Sequence, residues 1–462
     1  MNPKSDQVGN SGNISGGPGG GDSRPGRRRS MLVAAFGTIV EWFDFSVYFY
    51  VASILTKEFF GDDQNSVLLT LGIGAAGFLF RPLGAMVFGH LGDRVGRRAA
   101  LVISAALIAV SMFGTAALPG YESIGIWGGV GLVALRCLAG FSVGAEYTGT
   151  MVYLMESAAP GRRGLAASWA SANSEVGALL AVGSATLAAE MLSPQSMEDW
   201  GWRLLYVLGG ILATVMIPLR SMLEETETTA RIRAAAPTDG AAAAGTWRES
   251  PLVLVLRHQP RAVLVAFLVS TVGATSYFLN ITYVPTYLVE EVHLEQAGSL
   301  GLGTVAAVAA IVVTPFFGLL SDKLGRVWGL GLLVAALVIT TIPVYALLGV
   351  GDSGVGVGAA AFLAVPAAGW SAIAAAAIPE QFTAIGRFSG MAIGYNIATV
   401  AFGGLSPLIA AWLISSTGVS LAPAIYATVV ILVAGIPALL LMRNMSDRTL
   451  VEVDRDELLV AV

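Results

Sequence analysis

Apolar blocks separated by short polar breaks run along almost the whole chain. Twelve stand out, at about 32–55, 66–90, 99–119, 124–152, 165–189, 203–219, 261–289, 297–320, 327–349, 355–378, 388–413 and 422–442. Each is near the roughly 20 residues that an α-helix needs to cross about 30 Å of hydrocarbon. The blocks are too long for transmembrane strands and lack strict alternation. The pattern therefore predicts an all-α integral membrane protein with twelve transmembrane helices.

The polar stretches divide the chain further. Residues 1–31 are Gly, Ser, Asn and Pro without apolar periodicity, ending near Arg27, Arg28 and Arg29, which predicts a flexible tail. The longest internal break, 220–260, separates a six-helix bundle over 32–219 from a second over 261–442, and 443–462 form a short tail. Lys and Arg give the orientation. With the N-terminus inside, only Lys57 and Arg203 fall at the outer face, while Arg81 and Arg136 lie within spans. The rest of the 26 fall on the inner side. This bias predicts that both termini are cytoplasmic in a multi-pass protein of the inner (plasma) membrane.

Composition agrees. The chain of 462 residues is 55% hydrophobic and 12% charged, against about 25% charged in soluble domains. A mean hydropathy of +0.72 excludes a disordered chain and a nucleic-acid partner. The 56 Gly suit close helix packing in a bilayer. One cysteine, Cys137, excludes an internal disulfide and a cysteine-rich metal site.

The two bundles repeat a pattern. After the second block come Gly92, Asp93, Arg94, Gly96, Arg97 and Arg98; after the eighth come Asp322, Lys323, Gly325 and Arg326. Glu156 has Arg163 seven residues on, and Glu380 has Arg387 seven residues on. Six spans followed by a second set of six is the internal symmetry of many secondary transporters.

The loop pattern G-x-x-x-D-[RK]-x-G-R-[RK] resembles the signature of the major facilitator superfamily; Val327 departs from it at the last position of the second copy. Within that superfamily the chain resembles the metabolite:proton symporter group. The residues that carry this are Glu41-Trp42-Phe43-Asp44-Phe45, Arg81-Pro82-Leu83-Gly84, Gly140 to Tyr147, Trp200-Gly201-Trp202-Arg203, Leu223-Glu224-Glu225-Thr226, Gly394-Tyr395-Asn396 and Phe402-Gly403-Gly404. Around Gly144–Thr150 and Tyr283–Leu288 it is similar to proline/betaine symporters, and around Gly394–Gly404 to citrate and dicarboxylate symporters. The resemblance implies a monomeric, proton-coupled symporter that imports a small carboxylate-bearing metabolite or zwitterionic solute by alternating access. It implies no cofactor and no partners beyond substrate, protons and lipid bilayer. It also implies that the loop charges, Glu156, Arg163, Asp322, Lys323, Arg326, Glu380 and Arg387 with their first-bundle counterparts, latch the cytoplasmic side.

Ionisable residues within spans are costly, by roughly 2.5–3.5 kcal/mol on insertion scales, and mark candidate chemistry. Here they are Glu41, Asp44, Arg81, Arg136, Glu146 and Glu175. Glu41, Asp44 and Tyr48 share one helical face. A proton carrier needs a carboxylate whose surroundings change, and a nearby cation tunes it. Glu41 or Asp44, with Arg136, fits that role, and Glu146 is an alternative carrier. Arg81, followed by helix-disturbing Pro82, can bind a carboxylate bidentately or serve as partner to Glu41 or Asp44. Glu175 can meet an ammonium or a proton. Tyr277, Asn280, Tyr283, Tyr395 and Asn396 offer hydrogen bonds and aromatic faces that suit a quaternary ammonium.

Other classes fit less well. No G-x-x-x-x-G-K-[ST] loop supports an ATP-driven pump, and His90, His258 and His293 are isolated. A proton-coupled exporter is the nearest alternative, but block 165–189 lacks the Gly-Pro motif that such exporters carry.

Overall fold

A computed structural model describes residues 25–61, 66–95, 97–144, 146–159, 161–222, 251–293, 296–350, 353–383 and 387–445. Its principal helices are α1 (Pro25–Tyr50), α2 (Ala52–Phe60), α3 (Ser66–Val95), α4 (Arg97–Ala117), α5 (Ile126–Val143), α6 (Glu146–Glu156), α7 (Arg163–Met191) and α8 (Trp202–Arg220). The second part contains α9 (Pro251–His258), α10 (Pro260–Tyr277), α11 (Val284–Glu290), α12 (Gln296–Leu324), α13 (Arg326–Leu348), α14 (Ser353–Ala377), α15 (Arg387–Thr399), α16 (Ser406–Thr417) and α17 (Ala422–Leu441). No strand occurs among the described residues. Each of the twelve apolar blocks coincides with helix.

Nine of the described helical stretches are long and apolar enough to cross a membrane, or ten if the bent α1–α2 pair is one span. The 29-residue α7 is long enough at 1.5 Å per residue, but Ser168, Ser171, Asn173, Ser174 and Glu175 lower its hydropathy. Ser168, Ser171, Ser174 and Glu175 are buried, as polar residues in lipid must be, and Asn173 donates to the Trp169 carbonyl at 2.6 Å.

Several helices are interrupted, two of them close to Pro285 and to Gly403, Gly404 and Pro407. α1 and α2 meet at 66° across Val51. Short π-turns over Phe278–Thr282 and Val400–Gly404 separate α10 from α11 and α15 from α16.

The interior sorts into an apolar cluster drawn from residues 40–216 and another drawn mainly from the second bundle. The bundles meet where α7 lies along α12 and α14, and where α3 lies along α15. Between them sits a small aromatic cluster with Trp42, Phe78, Tyr277 and Phe278.

Within the first bundle, α3 and α5 approach backbone to backbone. A Cβ at Gly140 would overlap the Gly77 carbonyl, one at Gly84 the Phe141 carbonyl, and one at Gly144 the Arg81 carbonyl. Glycine is what permits this contact, and it brings Arg81 of α3 and Arg136 of α5 to the same face as α1.

Candidate functional site

The intramembrane charges of α1, α3 and α5 form two ion pairs. Arg81 Nη2 donates to Glu41 Oε1 at 2.9 Å. Arg136 donates to both oxygens of Asp44, from Nη2 at 2.7 Å and Nη1 at 3.3 Å. All four side chains are buried. The Arg81 guanidinium lies 4.7 Å from the Phe78 ring centre, and that of Arg136 lies 5.1 Å from Tyr48 and 5.7 Å from Tyr206. Desolvated charges of this kind persist only when geometry is good and remaining lone pairs are met. Asp44 has both oxygens engaged, whereas Glu41 Oε2 is buried without a partner. The residues surround a cavity of about 30 Å³.

Glu146 lies elsewhere. It accepts from Ser104 Oγ at 3.1 Å and pairs with Arg220 at the end of α8. Arg220 also donates to the Leu101 carbonyl at 2.8 Å and is buried. The sequence pattern assigned Arg220 to the linker; the fold corrects this, because a buried Glu146 requires a cation. Glu146 is absent from both central cavities.

A second cavity, of about 50 Å³, lies between the bundles. That volume holds a few waters and no metabolite, since one water requires roughly 10–15 Å³. Its walls come from α1, α6, α7, α10, α14 and α15. Trp42 stands edge-on to Tyr277 at 5.2 Å and to Tyr147 at 6.2 Å, and Tyr147 faces Tyr395 at 5.4 Å. Trp370 closes another side, its indole N–H bound to the Val269 carbonyl at 2.9 Å.

Into this aromatic cage reaches Glu175. The Tyr277 hydroxyl donates to it, its Oε2 has no partner, and no ion pair holds it among the described residues. Tyr395 lies within electrostatic reach of Arg81 and Glu41, so the cage adjoins the first ion pair.

The tyrosine and asparagine candidates separate. Tyr48 lines the ion-pair cavity, and Tyr277 and Tyr395 line the cage. The other three line neither cavity. Asn280 faces Thr341 at 3.5 Å, Tyr283 packs against Tyr287, and Asn396 donates to the Gly144 and Ala392 carbonyls at 2.8 and 2.7 Å. The Asn396 amide thus serves helix contacts, whereas Asn280 Oδ1 is buried without a hydrogen-bond partner. Trp42 and Tyr147 stand within the family-like motifs, and Trp370 stands in none. Aromatic residues on apolar helices carry no signal that separates a cage from packing.

At one end of the bundles, charged groups join the two halves. Arg387 Nη1 donates to Glu156 Oε1 at 2.8 Å, and Arg163 Nη1 lies 3.4 Å from Glu380 Oε1. Arg326 donates to both Glu380 oxygens at 3.1 Å and to Asp322 at 2.9 Å. The Asp322 carboxylate accepts from the backbone N–H groups of Gly164 and Leu165 at 2.7 and 2.9 Å. It thereby caps the positive N-terminal end of α7 from the opposite bundle. Gly325 supplies the positive φ of 85° that turns α12 into α13. Lys323 and Arg98 are exposed and outside this network. The side chains of Gly92, Asp93, Arg94 and Arg97, and all of Gly96, lie outside the described residues.

A family model described as Major Facilitator Superfamily matches residues 34–391. The chain is 33% identical over 436 residues to an ectoine/proline transporter of Corynebacterium glutamicum, covering 92% of this chain and 85% of that one. It is 31% identical over 423 residues to an alpha-ketoglutarate permease of Escherichia coli, covering 90% and 95%. The solved structure of a proton:xylose symporter superposes with a TM-score of 0.73 at 17% identity, over 93% of this chain and 99% of that one. At that identity the superposition speaks for the fold.

Proposed function

The chain belongs to the major facilitator superfamily of membrane transporters, and we propose that it is a proton-coupled symporter importing a small solute that carries both an ammonium and a carboxylate. One observation carries this: a buried carboxylate, Glu175, without a cation, inside a cage of Trp42, Tyr147, Tyr277 and Tyr395, beside the Glu41–Arg81 ion pair. Aromatic faces and a carboxylate attract an ammonium. The guanidinium of Arg81 attracts a carboxylate.

Proline, ectoine and glycine betaine fit these two poles. When the solute's carboxylate takes Arg81, Glu41 loses its partner and takes a proton; solute and proton then cross together. Glu41 suits this better than Asp44, because Arg136 already engages both Asp44 oxygens. The transporter works as a monomer in the plasma membrane, with both termini cytoplasmic. The Glu156–Arg387 and Arg163–Glu380 pairs with Asp322 close its cytoplasmic side. Opening exchanges these contacts for those of the inward-open state.

The likeness to the alpha-ketoglutarate permease supports an organic-acid symporter as a second reading, yet a lone Glu175 in the cavity repels a second carboxylate. Uptake into proteoliposomes decides. With an inward proton gradient, labelled proline, ectoine and glycine betaine should accumulate while citrate and α-ketoglutarate do not. The opposite preference would refute the zwitterion assignment.

A further inference from the structure

Away from the central cavities, the outer surface of the second bundle carries an open groove of about 280 Å³ between α10 and α15. One wall is Leu256, Pro260, Val263, Leu264 and Phe267; the other is Ile393, Gly394 and Ile397. Pro260, Val263, Leu264 and Phe267 form one stripe of α10, and Leu256 comes from α9. Gly394 forms the floor, where a Cβ would stand 2.9 Å from the Val263 carbonyl and 3.0 Å from the Phe267 nitrogen. From Pro260 to Phe267 the groove runs about 10 Å along the helix axis. Its lining is entirely apolar, and Leu256, Leu264 and Ile397 are exposed. In a membrane-spanning bundle such a surface faces acyl chains.

The rim is basic. Arg257 and His258, at the end of α9, are exposed and form no hydrogen bond or ion pair among the described residues. Arg261 is exposed one turn on; its Nε and Nη2 donate to the Leu441 carbonyl at 3.0 and 2.8 Å. Gln259 bonds Thr383 in both directions, at 2.7 and 3.2 Å. This fixes the rim at the end of the bundle that holds the charged latch. On α9, Val253, Leu254 and Leu256 are exposed beside the basic residues, the composition of a helix lying at a membrane surface.

An apolar slot that opens at the end of a span onto basic residues with no ion pair among the described residues matches an anionic lipid in shape and charge. We propose that the α10–α15 groove holds an acyl chain of one anionic phospholipid, with its phosphate on Arg257 and Arg261. A zwitterionic lipid brings its own ammonium to the rim and loses the advantage. The occupied helix, α15, presents Arg387 to the latch and Tyr395 to the cage, so the lipid braces both from behind.

The test is native mass spectrometry of the purified full chain with phosphatidylglycerol or phosphatidylcholine of identical acyl chains. One phosphatidylglycerol should be retained in preference to phosphatidylcholine. Arg257→Gln should reduce its retention roughly fivefold, the equivalent of one basic residue at an anionic surface. Ile397→Trp, which fills the groove, should abolish the preference, whereas Leu332→Trp on the exposed face of α13 should not. A photoactivatable phosphatidylglycerol on the unaltered chain should crosslink to 256–267 and 393–397. Equal retention of both lipids, crosslinks confined to other helices, or coverage of the groove by a second copy of the chain would each overturn the proposal.

Discussion

Replacing Glu380 with glutamine should loosen the latch and shift the transporter toward its inward-open state. Glu380 is fully buried, accepts two hydrogen bonds from Arg326 at 3.1 Å and faces Arg163 of the other bundle at 3.4 Å. Arg326 keeps Asp322 at 2.9 Å and Ser321 at 2.7 Å, so it retains anchors in its own bundle. Arg163 loses the Glu380 carboxylate across the interface. Removing one partner of a buried pair costs about 3–5 kcal/mol. The contact is long, and water can reach Arg163 once the latch opens. The differential effect on the two states is therefore about 1–3 kcal/mol, or roughly 5–150-fold in population.

The single cysteine allows a direct assay. In a Cys137→Ser background, Ser371→Cys places a thiol on the cavity wall. In inside-out vesicles, an impermeant maleimide should label it in proportion to the open population. Glu380→Gln should speed labelling by that factor, and Arg163→Gln combined with Glu380→Gln should add less than the sum of the two. Labelling within twofold of the parent, with additive effects, would refute the latch.

Other expectations follow from the same geometry. Glu175→Gln should raise the half-saturation concentration for labelled proline about 10–150-fold, as expected for a lost contact of about 1.5–3 kcal/mol to a charged group; an unchanged value would remove Glu175 from the site. Glu41→Gln should still exchange labelled for unlabelled solute but fail to concentrate it under a proton gradient, and concentrative uptake by this variant would return the proton to another group. Asp44→Asn strands the Arg136 charge and should cost about 3–5 kcal/mol of stability, read as a lowered melting temperature in detergent. Gly140→Ala drives a methyl into the Gly77 carbonyl and should cost about 1–3 kcal/mol; melting at the parent temperature would show that α3 and α5 can separate freely.

The helical architecture was legible because hydrocarbon demands long apolar segments. The six buried charges were legible for the same reason, since each stands out against an apolar background. Their pairing was not. Glu41, Asp44, Arg81 and Arg136 offer more than one combination, and only the α3–α5 glycine contact decides that Arg81 meets Glu41 and Arg136 meets Asp44. Arg220 escaped because it ends an apolar block and reads like another inner-face cation, although Glu146 in the preceding spans was a carboxylate in need of one. Asn280, Tyr283 and Asn396 lie outside both cavities; a polar group on a membrane helix can satisfy a neighbouring helix as well as a ligand. The cage residues Trp42, Tyr147 and Trp370 were hidden among packing aromatics. The charges that join the bundles were partly legible, since Glu156, Arg163, Glu380 and Arg387 stand at matched positions in the two halves and pair across the interface.

The central claim is that solute and proton move together in one direction. An inward charge crossing 100 mV supplies about 2.3 kcal/mol and one pH unit about 1.4 kcal/mol, enough together for accumulation of several hundredfold. Proteoliposomes loaded with a pH-sensitive dye, at equal pH on both sides and with the potential clamped, test the coupling directly. Adding proline or glycine betaine outside should acidify the lumen, and Glu41→Gln should abolish the signal. A lumen that turns alkaline, or that stays constant while solute enters, would contradict proton symport.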